Sequence, residues 1–173
     1  MNKQIICVIA LTIVVFIPPS FANPKIAVLD FELNDITSLP NTVQEQQRTA
    51  TIRPLLEQAL AQKGNYEIIS ISANEQALAI PGFGYLFKHH DLAAKLGRQF
   101  GADWIVIGQH SKPSFLFSYL MANLVQVKTG NLVARFDIEL KGNHAKVTQH
   151  GVEALADKID KSVLYFKSTD QNR

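Results

Sequence analysis

The sequence predicts an α/β sandwich: a single domain whose mixed sheet of about five strands carries helices packed mainly on one face. Two observations carry this. Short apolar runs bounded by Gly, Pro and Asn alternate with segments whose apolar residues recur at three and four positions, in the order β-α-β-α-β-β-β-α. The stretch Gly101-Ala102-Asp103-Trp104-Ile105-Val106-Ile107-Gly108-Gln109-His110 is a helix stop running into an unbroken apolar strand, the pattern of a strand buried on both faces. The other elements are placed relative to that strand.

Residues 1–22 read as a secretory signal. Lys3 gives the positive start, Ile5 to Ile17 the apolar run, and Ser20-Phe21-Ala22 the small-x-small exit, so the mature chain is expected to begin at Asn23. The apolar run is short of the roughly 20 residues a spanning helix needs. The one cysteine of the chain, Cys7, leaves with that segment, which removes thiolate, disulfide and zinc-thiolate chemistry from the rest. With 17 Lys and Arg against 15 Asp and Glu, scattered rather than blocked, nothing resembles a nucleic-acid footprint. Residues 23–173 make one domain's worth of chain, with no linker or repeat to mark a second boundary.

Lys25 to Leu33 begins as a continuous apolar run and then alternates, as the first strand should, and the alternation puts Asp30 and Glu32 on one face near its carboxyl end. Thr42-Val43-Gln44-Glu45 has capping-box spacing, and Ile52, Leu55, Leu56, Ala59 and Leu60 make a buried helical stripe that Gly64 ends. Pro54 predicts a kink or a fresh start in that helix. Tyr66 to Ser72 reads as the second strand, and Asn74 as the cap of a short turn through Leu78. Ile80 to Phe87 is apolar but broken by Pro81, Gly82 and Gly84, so it reads as a loop. Asp91 is the expected cap of a helix from Leu92 to Phe100, stopped by Gly101.

After the central strand, Pro113 interrupts the ladder. Phe115 to Thr129 resumes it, with Phe117, Tyr119, Met121, Asn123, Val125 and Val127 on one face. Thr129-Gly130-Asn131 is a hairpin signal, and Leu132, Ala134, Phe136, Ile138 and Leu140 form the apolar face of the return strand. His144 to Phe166 closes the chain as a helix, with a frayed polar tail from Lys167.

The opening Lys25 to Leu33, Tyr66-Glu67-Ile68-Ile69, Leu92 to Gly97, Gly101 to Gly108, Lys128 to Asn131 and Asp137 to Asn143 resemble the uncharacterised secreted families DUF2380 and DUF3280 over nearly all the chain beyond the leader. At longer range the pattern is similar to the amino-terminal domain of TolB and to CsgG-like envelope domains. The resemblance implies a periplasmic envelope protein that binds partners rather than an enzyme. A cysteine pair carried by relatives before the second helix is replaced here by the stretch Phe87-Lys88-His89-His90-Asp91.

The candidate binding residues are Asp30, Glu32, Gln109 and His110, all at strand ends where α/β sheets present ligand groups. No Ser, His or Lys motif completes a catalytic set around them. His89-His90-Asp91 offers metal-type ligands, but adjacent residues at a helix start diverge, so no metal or cofactor is expected. The first expectation is a non-enzymatic periplasmic domain that binds a protein partner or itself through an apolar surplus along Phe115 to Val127. A small-ligand binder using Asp30, Gln109 and His110 under the Pro81 to Phe87 loop is the second, and a hydrolase built on the carboxylates and His110 the last. No nucleic-acid partner and no stable membrane anchor after signal cleavage are expected.

Overall fold

The computed structural model describes residues 23–64, 66–142 and 144–170, so the expected leader lies outside the described residues. Six strands and six helices follow in the order β1 (Lys25–Val28), β2 (Glu32–Asp35), α1 (Val43–Ala50), α2 (Ile52–Gln62), β3 (Glu67–Ile69), α3 (Ala73–Ala79), α4 (Tyr85–Lys88), α5 (His90–Gln99), β4 (Trp104–Lys112), β5 (Phe117–Gln126), β6 (Leu132–Lys141) and α6 (Ala145–Asp170). They form one mixed sheet in the order β3-β1-β4-β5-β6, with β2 continuing the line of β1 along β4. The strands up to β4 run parallel, and β4, β5 and β6 form an antiparallel meander.

Strand order dictates where the helices go. The chain crosses from the first strand outward to β3 and then back over β1 to β4. Right-handed crossovers in opposite directions leave their helices on opposite faces. Thus α2 and α6, the two longest helices, share one face with Ile26, Val28, Trp104 and Val106. The shorter α3, α4 and α5 cover part of the other, over Ala27, Leu29, Ile105 and Ile107.

The first strand is where sequence and structure differ most. Val28 pairs with Val106, but Glu32 pairs with Gln109, so the β1–β2 segment carries one residue more than β4 between these points. That extra residue is Asp30, which is exposed, and it splits one expected strand into β1 and β2. A one-residue bulge reverses the alternation beyond it. Asp30 and Glu32, expected together on one face, therefore sit on opposite faces. The reversal also lays the ring of Phe31 directly across Gly108, where a Cβ would lie 2.3 Å from Phe31 Cε1 and Cζ.

The helix expected from Thr42 is two helices. Thr42 Oγ1 accepts from the Glu45 N–H at 3.3 Å, as the capping spacing implies, but Glu45 turns its carboxylate inward instead of back to the cap. The chain breaks at Thr51, and Pro54 sits in the first turn of α2, where its missing N–H costs nothing. Ser72, rather than Asn74, caps α3, in a reciprocal box with Glu75. Asp91 lies in the first turn of α5 behind His89 and makes no cap bond. Gly101, at φ +72°, ends α5 as expected: the Ala102 N–H reaches Gly97 O at 3.0 Å and the Gly101 N–H reaches Arg98 O at 3.2 Å. Gly84, also at positive φ, lets the loop before it turn into α4, a single turn where none was expected. A second bulge skips Val133, because Leu124 pairs with Ala134 and Val125 with Leu132. Val133 then packs toward the core, and Leu132, expected inside, is outside. The polar segment from Lys167 to Asp170 continues α6.

Close approach at Gly108 makes a sharp prediction. Gly108→Ala should cost about 2 kcal/mol by forcing Phe31 out of its position, whereas Gly82→Ala, with open space around its Cβ and no positive φ, should be nearly neutral. Urea unfolding of both variants checks this; equal midpoints would refute the packing account.

Candidate interaction surface

Polar residues of β4 beyond Gly108 must be satisfied inside the protein, because the strand is paired along both edges there. His110 is completely buried. Thr49 Oγ1 donates to Glu45 O at 2.8 Å, which makes the His110 Nδ1–H the donor in its 2.7 Å bond to Thr49 Oγ1. His110 Nε2 then accepts from Arg48 Nη2 at 2.9 Å and lies 3.0 Å from Ser118 Oγ. The imidazole is neutral: burial pushes its pKa down to about 4, and the positive charge of Arg48 adds to that.

Around it runs a closed set of charges. Arg48 Nε donates to Glu45 Oε2 at 2.9 Å, and Lys112 Nζ lies 3.3 Å from Glu45 Oε1 and 3.6 Å from Asp35 Oδ2. Two cations balance two anions. Burial raises the Asp35 pKa, but bonds from the Thr37 hydroxyl and N–H and from the Asn41 N–H, with the Lys112 charge, outweigh it and hold the carboxyl below its usual value. Arg48 Nη1 also donates to Gly142 O at 3.2 Å, tying α1 to the turn after β6.

The four residues singled out in the sequence do not converge on one pocket. Asp30 Oδ1 accepts from Arg53 Nη1 at 3.3 Å, and its own N–H donates to Gln76 Oε1 at 2.8 Å. Glu32 and Gln109 do meet, on the opposite face from His110: Glu32 Oε2 accepts from Gln109 Nε2 at 3.3 Å and from the Gly84 N–H at 2.8 Å. That contact pins the Pro81 to Phe87 loop to the sheet. His89 and His90 diverge, the first tilted against the Tyr85 ring with centroids 4.6 Å apart, the second with Nε2 3.3 Å from Asn123 Nδ2.

The buried ionic set escaped the sequence reading, although a signal existed. Glu45, Arg48 and Thr49 recur at three and four residues, a helical stripe like any core stripe but polar. Lys112 shares strand parity with Trp104, Val106 and His110.

Apolar side chains surround the end of the sheet that this set holds. Ile36, Leu39, Val43, Phe115 and Leu116 are each between 56% and 78% exposed. Ile36, Leu39, Phe115 and Leu116 lie in the loops flanking Lys112, and Val43 opens α1; the Ile36 N–H donates to Lys112 O at 3.2 Å, and Lys112 Nζ sits 5.4 Å from the Phe115 ring centroid. The exposed group continues onto the face of β5 away from α6, where Phe117, Tyr119 and Met121 are half-buried. α5 packs over β5 nearer Val125 and Val127. Separately, an open cleft of about 740 Å³ between α3, α4 and α5 is lined by Leu78, Ile80, Tyr85, Leu92 and Phe100, with Lys95 among its polar groups. Among the described residues no helix is long and apolar enough to cross a membrane.

His110 makes the fold pH-dependent with a definite sign. The folded chain holds the ring neutral down to about pH 4, while an unfolded histidine takes up its proton near 6.5. Stability is therefore full above pH 6.5, falls as the pH drops from 6.5 to about 4, and levels off for this group below that. The loss should reach about 3 kcal/mol. Urea titrations at pH 7 and pH 4.5 should show it, and His110→Asn should flatten the slope.

Comparison with curated proteins of established function gave no match. Among solved structures, the PelC dodecamer from Paraburkholderia phytofirmans superposes with a TM-score of 0.50 at 14% identity, over 83% of this chain and 90% of that one. TolB from Acinetobacter baumannii gives 0.52 at 16% identity over 83% of this chain, which spans 29% of that protein. The carboxyl-terminal domain of LpoB from Salmonella enterica gives 0.47 at 20% identity, over 69% and 84%. At these identities the TolB and PelC likenesses show a shared fold. The family model described as a protein of unknown function (DUF2380) matches residues 24–159, and the chain belongs to this DUF3280 family.

Proposed function

We propose that this protein is a non-enzymatic binding module of the periplasm, which engages a protein partner or further copies of itself through the exposed apolar end and uncovered face of its sheet. The observation that carries the reading is the set Ile36, Leu39, Val43, Phe115 and Leu116. Scattered exposed apolar residues are ordinary, but four in the loops at one end of a sheet and a fifth at the start of α1, continuous with half-buried aromatics, mark a contact surface. The buried ion pairs of Arg48, Glu45, Lys112 and Asp35 tie α1, β2 and β4 together beneath that surface. The leader-like residues 1–22 support export. PelC, whose fold this chain shares, is described as a dodecamer, a precedent for self-assembly on this framework.

A second reading has its own observation. The cleft between α3, α4 and α5 has the size and the mainly apolar lining of a small-molecule site. It lies beside the Pro81 to Phe87 loop but uses Leu78, Tyr85 and Phe100 rather than Asp30 or His110. The carboxylate–histidine hydrolase finds no support in the geometry, since His110 is sealed behind Arg48, Thr49 and Ser118 and Asp30 is bonded elsewhere.

Photo-crosslinking in cells tests the leading reading. A photoreactive residue replacing Phe115 or Leu116 should give a discrete adduct, of twice the protein's own mass for self-assembly or another fixed mass for a partner. The same probe at exposed Lys128 should give none. If positions 115 and 116 yield no more adduct than 128, the surface is not a contact site.

A further inference from the structure

β6 is the long free edge of the sheet, and we infer that it pairs antiparallel with β6 of a second copy about a two-fold axis passing through Phe136. The inference rests on the self-association arm of the reading above and gives it a site and a register. The opposite edge, β3, is three residues long, whereas β6 has ten, contains no proline, and is paired on one side only. Such an edge presents a row of backbone N–H and C=O groups to any strand that can lie beside it. Beyond the bulge at Val133 the strand is regular from Ala134 to Lys141.

Among registers that pair most of the strand, side-chain chemistry selects one; an axis through Leu140 also sets Glu139 against Lys141 but pairs only the last three residues of β6. A two-fold axis normal to the strand opposes residues whose numbers have a constant, even sum, so each side chain meets one on the same face. An axis through Arg135 or Asp137 sets that residue against its own like charge. An axis through Ile138 opposes Asp137 to Glu139 and Arg135 to Lys141, again like to like. With the axis through Phe136, Arg135 of each copy faces Asp137 of the other, twice over. On the opposite face Ala134 meets Ile138 and the two Phe136 rings meet each other. Phe136, Ala134 and Ile138 all belong to the core that α6 covers, so this register continues that core across the axis.

The charged residues are already poised. Arg135 is exposed but held by its Nε donating to Asn123 Oδ1 at 3.1 Å and by the Phe87 ring, 5.9 Å from the guanidinium carbon to the centroid. Asp137 is exposed, and no ion pair engages it among the described residues. Cross-strand opposite charges are stabilising, and like charges directly opposed are not.

Charge exchange tests the register. The wild-type protein, followed by sedimentation velocity over a concentration series, should dimerise. D137R alone and R135D alone should each weaken the dimer by about tenfold or more, because each turns both cross-axis pairs into repulsions. An equimolar mixture of D137R and R135D should dimerise again, and so should the R135D/D137R double variant. Rescue by mixing shows that the single variants are folded, and dimerisation of the double variant shows that position 135 faces position 137. Assembly that all these variants leave unchanged would overturn the edge pairing while leaving the contact surface at Phe115 in place. A wild type that stays monomeric throughout would overturn the pairing and leave the crosslinking from Phe115 to judge the binding reading alone.

Discussion

A strand buried on both faces and hydrogen-bonded on both edges has no water to offer its polar side chains, and β4 is such a strand. Its first half carries Trp104, Ile105, Val106 and Ile107, which need only packing. Its second half carries Gln109, His110 and Lys112, which need partners, and much of the surrounding structure supplies them. α1 turns Glu45, Arg48 and Thr49 inward, β2 brings Asp35, β5 brings Ser118, and α4 is drawn in by the contact of Glu32 with the Gly84 N–H. An uncompensated charge here would cost several kcal/mol, so the set stands or falls together.

Two local irregularities make this arrangement possible. The extra residue at Asp30 reverses the pleat so that Phe31 covers Gly108 and Asp35 reaches Lys112, while Glu32 faces the other way toward Gln109. The skipped residue at Val133 does the same near the start of β6, exchanging Leu132 for Val133 against the core. Both act on strands beside the β4–β5 ladder, whose own register is unbroken over its full pairing.

The binding reading follows from what this framework leaves uncovered. Helices of the first crossover and the closing helix fill one face. The second crossover reaches across the other only as far as α5 goes, so the outer part of β5 and the loops at the Lys112 end stay open to solvent. Buried ion pairs lie beneath that exposed apolar rim.

Periodicity and the Gly and Pro signals located the central strand, the hairpin at Gly130, the stop at Gly101 and the stripe of α2, because each of these is decided by residues within a few positions of one another; Pro54 signalled a break that falls three residues earlier, at Thr51. Periodicity also singled out His110, Glu32 and Gln109 as unusual polar groups at strand ends. What it could not show is which polar groups meet. Arg48 bonds a histidine 62 residues away and a serine 70 away, and Glu32 a backbone amide 52 away. The polar stripe of Glu45, Arg48 and Thr49 looks solvated until β4 and β5 are packed against it. The bulge at Asp30 is equally silent, since it shows only when β1 and β2 are matched residue by residue against β4. Local burial is written in the spacing of side chains, whereas the pairing of charges and the register of strands are settled only when distant segments must share one core.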